Sequence, residues 1–309
     1  MPNNLLTRGP LVDVPVDEGD AQRADASDAT AAYCLHHALR VTLNSAAVEA
    51  NASDENIHAA RKKMKRIRAA LRLLRASLGE RAYRRANRQI RDSARLLRPV
   101  RDAAVLLQSI TTLRSTGDSR EIAAYLRRFQ HLLTDEGGAA RARLTRAVLQ
   151  GNATALRHTA KRIEAPAQRP EATAVQRALK QAYKEGRVLM KRARKHSHDR
   201  VLHEWRKQVQ YLLNEVDLVS PLFWVHPKNL RPRLEELACL LGTDHDLAVL
   251  GQKIRRFRRR SLLRSAAGAH RTVKARIEAR RTALARKFYR LGERLYARPV
   301  RRWHGIVLP

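Results

Sequence analysis

A basic run that begins near residue 58 carries the side chains most suited to chemistry in this sequence. Between Arg61 and Arg75 there is no Asp or Glu, although an ordinary solvated helix face mixes both signs of charge. Cations on a rigid helix donate charge-assisted hydrogen bonds to phosphate oxygens, and a histidine can add a further N–H donor. The candidate ligands on this helix are His58, Arg61, Lys62, Lys65, Arg66, Arg68 and Arg72.

The next predicted helix, residues 80–98, repeats the one-signed pattern. From Ile57 to Arg101 the sequence has 16 basic and 2 acidic residues. A solvated amphipathic helix is the alternative for either helix alone, but two adjacent basic helices favour a phosphate-binding surface. On this second helix the candidates are Arg88, Arg91 and Arg95.

The first motif recurs in the second half of the chain. At an offset of 145 residues, the counterparts of His58, Arg61 and Lys62 are His203, Arg206 and Lys207. The apolar positions of the two segments coincide at the same offset. This spacing predicts an internal repeat with a second set of phosphate ligands. A histidine that only hydrogen-bonds the chain at a helix end remains the alternative for His58 and His203.

The elements that position these residues are all predicted to be helices. Apolar residues recur every three or four positions, and strand-like alternation is lacking, so we expect an all-α fold. The internal repeat predicts that this fold has two pseudo-symmetric helical halves. Residues 1–27 are predicted to be a disordered acidic tail, 28–164 the first helical repeat, 165–172 a linker and 173–309 the second repeat. Helix breaks are expected at the glycine pair 137–138, at 151–152 and at position 243, between helices predicted at 228–242 and 244–264.

Composition points to an acidic partner. The 309 residues include 63 Lys+Arg and 29 Asp+Glu, a formal net charge of +34, which opposes a compact state unless anions neutralise it. The aromatic content of 5% leaves few platforms for stacking bases. Two cysteines without CxxC spacing suit a reducing compartment, and no segment approaches the ~20 apolar residues that span a bilayer. We therefore expect a cytoplasmic protein with no membrane association.

The usual catalytic signatures are lacking. There is no glycine-rich phosphate loop, HExxH motif or nucleophile elbow, and the histidines near position 200 match no standard zinc spacing. Asp102 and Asp246 each open an apolar stretch and are predicted to be helix N-caps. We expect no enzyme activity, no cofactor and no metal, and therefore no turnover of phosphate compounds.

The paired motifs resemble the CHAD family, helical proteins named for the histidine of this motif. The first copy begins at His58 and continues to Arg101-Asp102; the second begins at His203 and continues to His245-Asp246. The resemblance implies two related helical bundles around a basic cavity that holds inorganic polyphosphate, with location at polyphosphate granules.

One departure from the repeat implies an asymmetric site. Three cations of the first copy, Lys65, Arg66 and Arg68, are replaced in the second copy by Gln210, Tyr211 and Leu213. The second copy therefore offers fewer cations. The residues alone indicate a phosphate polyanion, and the resemblance specifies polyphosphate. Nucleic acid, bound without sequence specificity, is the alternative partner, and the oligomeric state is left open.

Overall fold

The computed structural model describes residues 37–49, 52–163, 172–220, 224–225, 229–259, 266–300 and 306–307. The predicted all-α class is confirmed. The helices are α1 (37–44), α2 (Asp54–Leu73), α3 (Arg75–Leu78), α4 (Glu80–Leu96), α5 (Arg98–Leu113), α6 (Arg120–Ala142), α7 (Arg146–Arg162), α8 (Ala172–Lys195), α9 (Asp199–Val219), α10 (Leu230–Arg259) and α11 (Ala267–Leu295). Strands β1 (Trp224–Val225) and β2 (Ile306–Val307) pair antiparallel, with Trp224 opposite Val307.

Local sequence sets several helix boundaries. The side-chain oxygens of Ser53, Ser119 and Thr145 accept hydrogen bonds from backbone N–H groups in the first turns of α2, α6 and α7, which satisfies donors that the helix itself leaves unpaired. Gly79 separates α3 from α4 with a φ of 75°, a conformation that disfavours side chains with a Cβ. The basic residues of α2 and α4 therefore project from two well-delimited helices.

Three predicted helix breaks are wrong. The glycine pair at 137–138 lies inside α6, Gly151 lies inside α7, and Thr243, which follows Gly242, lies inside α10. A helical glycine costs only about 1 kcal/mol relative to alanine, and burial of flanking residues such as Leu133 and Leu241 offsets that cost. Gly137 also permits close packing, since a Cβ there would lie 3.2 Å from the Cβ of Ala103 on α5.

The prediction that Asp102 and Asp246 are helix N-caps is also wrong. Asp246 lies in the middle of that helix, and Asp102 lies one turn inside α5, whose N-cap is Leu97. Neither aspartate is an N-cap. Their carboxylates are therefore free to project from the sides of the helices.

Among the residues that the structure describes, the hydrophobic core forms two clusters, and each combines helices from both predicted repeats. The larger contains Met64 of α2, Leu179 of α8 and Trp205 of α9. The smaller contains Phe129 of α6 and Val273 of α11, together with apolar residues of α5 and α10. The two sequence ranges thus depend on each other for burial.

Two helix pairs bring the motif-bearing segments together. α2 packs against α9, and α5 packs against α10. These four helices carry the two copies of the motif, so the packing brings residues of both copies close together. The predicted tail 1–27 lies outside the described residues, as does all of the predicted linker except Ala172, the first residue of α8. No helix in the described residues is both long and apolar enough to cross a membrane.

Candidate functional site

Cations from three helices come together where α2 packs against both α5 and α9. We call this set the central basic cluster: Arg61 and Lys65 of α2, Arg98 and Arg101 of α5, and Arg206 of α9. Limited hydration and the positive charges of Arg206, Arg61 and Arg101 lower the pKa of the Lys65 amine to about 8, against the opposing effect of Asp246. Lys65 nevertheless remains exposed, so its charge is accessible inside a crowded, positively charged recess.

Arg206 is the least satisfied member of the cluster. Its Nε is buried and has no hydrogen-bond partner within the described part of the chain, and burial lowers the pKa of its guanidinium. An unpaired buried donor on a charged group is costly, by about 1–3 kcal/mol or more. A phosphate oxygen placed beside this donor would remove that cost.

The Arg61 side chain is held in place by a hydrogen bond to α4. One of its terminal nitrogens donates to the carbonyl oxygen of Ala94 near the end of α4. Loss of hydration lowers the pKa of the Arg61 guanidinium, as do the charges of Arg98, Arg101 and Arg206, while Asp102 opposes them. The fixed side chain keeps its charge in the cluster at no further entropic cost.

Two carboxylates lie among these cations. Burial raises the pKa of Asp246, which Asp102 raises further, while Arg206, Arg101 and Lys65 lower it. Asp102 and Asp246, one from each motif copy, therefore offset part of the positive charge of the cluster. Within the described residues no group of three or more His, Cys, Asp or Glu side chains is arranged to hold a metal ion.

Histidines line the same region. The rings of His203 and His245 lie 4.7 Å apart between centroids, and burial and nearby cations lower the pKa of His245 to about 3. The same causes, burial first, lower the pKa of His58 and of His203. All three rings are therefore neutral near pH 7, and each can donate one N–H without adding to the charge.

Two of the predicted ligands make contacts between helices. Arg72 pairs with Glu215 of α9, with 2.9 Å between Nε and Oε1, and its guanidinium lies 4.5 Å from the ring centre of Tyr211. Arg68 donates to Asn87 of α4 at 2.9 Å and also lies over the Tyr211 ring. Their charges are thus already engaged within the protein.

The remaining predicted residues are distributed over other surfaces. Lys62 and Arg66 are exposed on α2, and Lys207 pairs with Glu204 at 2.8 Å. On α4, Arg91 and Arg95 both lie within 3.6 Å of Asp92. Arg88 lines a groove between α4 and α7, so the α4 arginines do not all face the central basic cluster.

Several residues of the site were not among the sequence candidates. The site also contains Arg98, Arg101 and His245. The sequence feature that could have identified the last two is the match between the Arg101-Asp102 pair and the His245-Asp246 pair. A neighbouring pocket of about 450 Å³ brings Asp246 together with Arg280 and Lys287 of α11. Nothing in the spacing of α11 distinguished these two cations from its other basic residues.

The comparisons with known proteins agree with this architecture. The family model for the CHAD domain matches residues 32–255, which is more than half of the chain. This chain belongs to the CHAD family. The match includes both histidine motifs and both aspartates, so it covers every helix of the central basic cluster.

A solved structure shares the CHAD fold. The crystal structure of the CHAD domain from the plant Ricinus communis superposes with a TM-score of 0.58 and 17% sequence identity, over 92% of this chain and 93% of that one. At this identity the likeness shows a common fold. No match was found among the curated protein sequences.

Proposed function

We propose that this CHAD protein binds inorganic polyphosphate at the central basic cluster. Arg206 carries the proposal, because its buried Nε–H needs an acceptor and its neighbours supply more positive charge than Asp102 and Asp246 offset. An anion with several adjacent phosphate groups would contact Lys65, Arg61 and Arg206 together and would relieve their mutual repulsion.

The chemistry of the site favours a thin, linear polyanion over a nucleic-acid duplex. Proteins that read duplex DNA insert a helix or ribbon into a groove, whereas Arg61 and Arg206 lie in a recess between packed helices. The low aromatic content of the chain also disfavours binding of single strands by base stacking. Non-specific nucleic-acid binding through the surface arginines stays the competing hypothesis.

A competition experiment tests the proposal. Purified protein is titrated with long-chain polyphosphate and with duplex DNA of matched total charge, at several fixed salt concentrations. We expect tighter binding of polyphosphate at every concentration, with an affinity that falls steeply as salt rises, because binding releases condensed counterions. Equal affinities for the two polymers would contradict the proposal, and a flat salt response would contradict its electrostatic basis.

The proposal has two further parts, one on location in the cell and one on catalysis. We infer that the protein is cytoplasmic and associates with polyphosphate granules, since its charge suits a surface of condensed phosphate. We also infer that it binds without turning over its ligand, because the carboxylates of the site lie among cations rather than in a Mg²⁺-binding arrangement. Phosphate release with Mg²⁺ or Mn²⁺ that disappears in an Arg61→Ala variant would contradict this second inference.

A further inference from the structure

A second basic surface lies in the groove between α4 and α7. The groove encloses about 1050 Å³. Its α4 wall carries Arg81, Arg85 and Arg88, and its α7 wall carries His158 and Arg162. All five side chains are exposed, so both walls present cationic or protonatable groups to solvent.

Two carboxylates, those of Glu80 and Asp92, also line this groove, but both pair with other arginines. Glu80 is engaged by Arg75 and Arg84, and Asp92 is engaged by Arg91 and Arg95. From Arg146 to Arg162, α7 contains no acidic residue. Arg81, Arg85 and Arg88 form no salt bridge within the described ranges, which leaves the groove with a net positive charge.

The groove and the central basic cluster lie on different flanks of α4. Asn87 contacts Arg68 of α2 on one flank, whereas Gln89 faces the groove on the other. Successive helical residues are rotated by about 100°, so these two side chains point in nearly opposite directions. Buried Ile90 packs between the two flanks, and the groove is therefore physically separate from the cluster.

We propose that the groove between α4 and α7 is a second binding site for a phosphate polyanion. Arg81 and Arg88 are two helical turns apart, roughly 10 Å along the axis, so they would contact phosphates several units apart on an extended chain while Arg162 holds it from the other wall. A single protein molecule then binds two separate polyanion segments and cross-links long chains. The ligand class rests on the function proposed above, and the site and its cross-linking activity go beyond it.

Stoichiometry with a short ligand tests the second site. A linear oligophosphate about as long as the groove is titrated by calorimetry into the wild-type protein. The groove variant carries Arg81→Ala, Arg85→Ala and Arg162→Ala. The matched control carries Arg120→Ala, Arg127→Ala and Arg128→Ala on exposed positions of α6, which removes the same charge. We expect two bound ligands for wild type and control, and one for the groove variant.

Each outcome distinguishes the second site from the first. A single bound ligand in the wild type that is lost with Arg61→Ala plus Lys65→Ala overturns the groove proposal and leaves the function of the cluster intact. Two bound ligands in all three proteins also overturn it. Absence of binding throughout contradicts the proposed function itself. Circular dichroism of each variant, together with a second groove variant in which glutamine replaces the three arginines, excludes misfolding as the cause of a loss.

Cross-linking is measured separately with long-chain polyphosphate. Light scattering of the wild-type mixture should rise to a maximum at an intermediate ratio of protein to polymer and fall when either is in excess, as expected for a bivalent linker. The groove variant should still bind the polymer but scatter far less, whereas the α6 control should behave as the wild type. Equal scattering by groove variant and control would show that the cross-linking arises from net charge.

Discussion

The Nε of Arg72 lies 2.9 Å from Oε1 of Glu215 and joins α2 to α9 through a carboxylate whose side chain is only 1% exposed. Arg72→Ala leaves the Glu215 carboxyl buried without its partner. This carboxyl can then take up a proton instead of staying charged, so we expect a loss of about 1–3 kcal/mol in the free energy of unfolding near pH 7. Arg66→Ala, an exposed position on the same helix, serves as control and should change stability little. Urea denaturation of both variants measures the difference; similar losses would show that the pair does not stabilise the contact.

Glu215 should also make stability depend on pH. Burial raises the pKa of this carboxyl from 4.5 to about 7, against the opposing charge of Arg72. The folded state therefore binds the proton more tightly than the unfolded state, and the free energy of unfolding should fall as pH rises from about 4.5 to about 7. In Glu215→Gln, which stays neutral, this part of the decline should disappear. Parallel pH profiles for wild type and variant would contradict the expectation.

Binding at the central basic cluster should take up protons. Because the pKa of Lys65 is lowered to about 8, part of the amine is neutral in mildly alkaline solution, and a bound polyanion would raise that pKa again. Affinity for polyphosphate should therefore fall as pH rises through 8, and less steeply in Lys65→Arg. Calorimetry at pH 8 in two buffers of different ionisation enthalpy measures the proton uptake. Equal apparent enthalpies in the two buffers would refute the coupling.

The two motif copies should contribute unequally to binding. Lys207 is paired with Glu204, whereas Arg61 and Lys65 both belong to the central basic cluster. We expect Arg61→Ala plus Lys65→Ala to weaken polyphosphate binding more than Arg206→Ala plus Lys207→Ala, by about tenfold for each additional ~1.4 kcal/mol of contact. Binding isotherms at one salt concentration decide the question. Equal losses would point to a non-specific effect of net charge, which both variants reduce by the same amount.

Two helical glycines should respond to alanine with opposite signs. At Gly242 a Cβ would meet no atom of the described residues within 4 Å, so Gly242→Ala should stabilise the protein by about 0.5–1 kcal/mol through better helix propensity. At Gly292 a Cβ would lie 2.8 Å from the buried Trp205 ring, so Gly292→Ala should destabilise by about 1–3 kcal/mol. Thermal unfolding of both variants is the measurement, and a stabilising Gly292→Ala would contradict the packing.

The sequence indicated correctly the properties that depend on near neighbours in the chain. The three- to four-residue apolar spacing predicts the helices because helical periodicity is local, and the helix predicted at 80–98 is α4, which spans Glu80–Leu96. The absence of acids between Arg61 and Arg75 likewise identifies α2 as a source of positive charge. The helix break predicted beside Gly242 was wrong, because the free-energy cost of a helical glycine is small compared with the stabilisation from burying the apolar residues around it.

Tertiary structure alone decided which cations act together. Arg61 and Arg72 are three helical turns apart on α2 and look equivalent in the sequence, yet one joins Arg206 in the central basic cluster and the other pairs with Glu215. The difference arises from residues more than 140 positions away, brought close when α9 packs on α2. Local periodicity fixes the side of a helix on which a charge lies, but its partners depend on long-range packing, which has no signature in the spacing of a single helix.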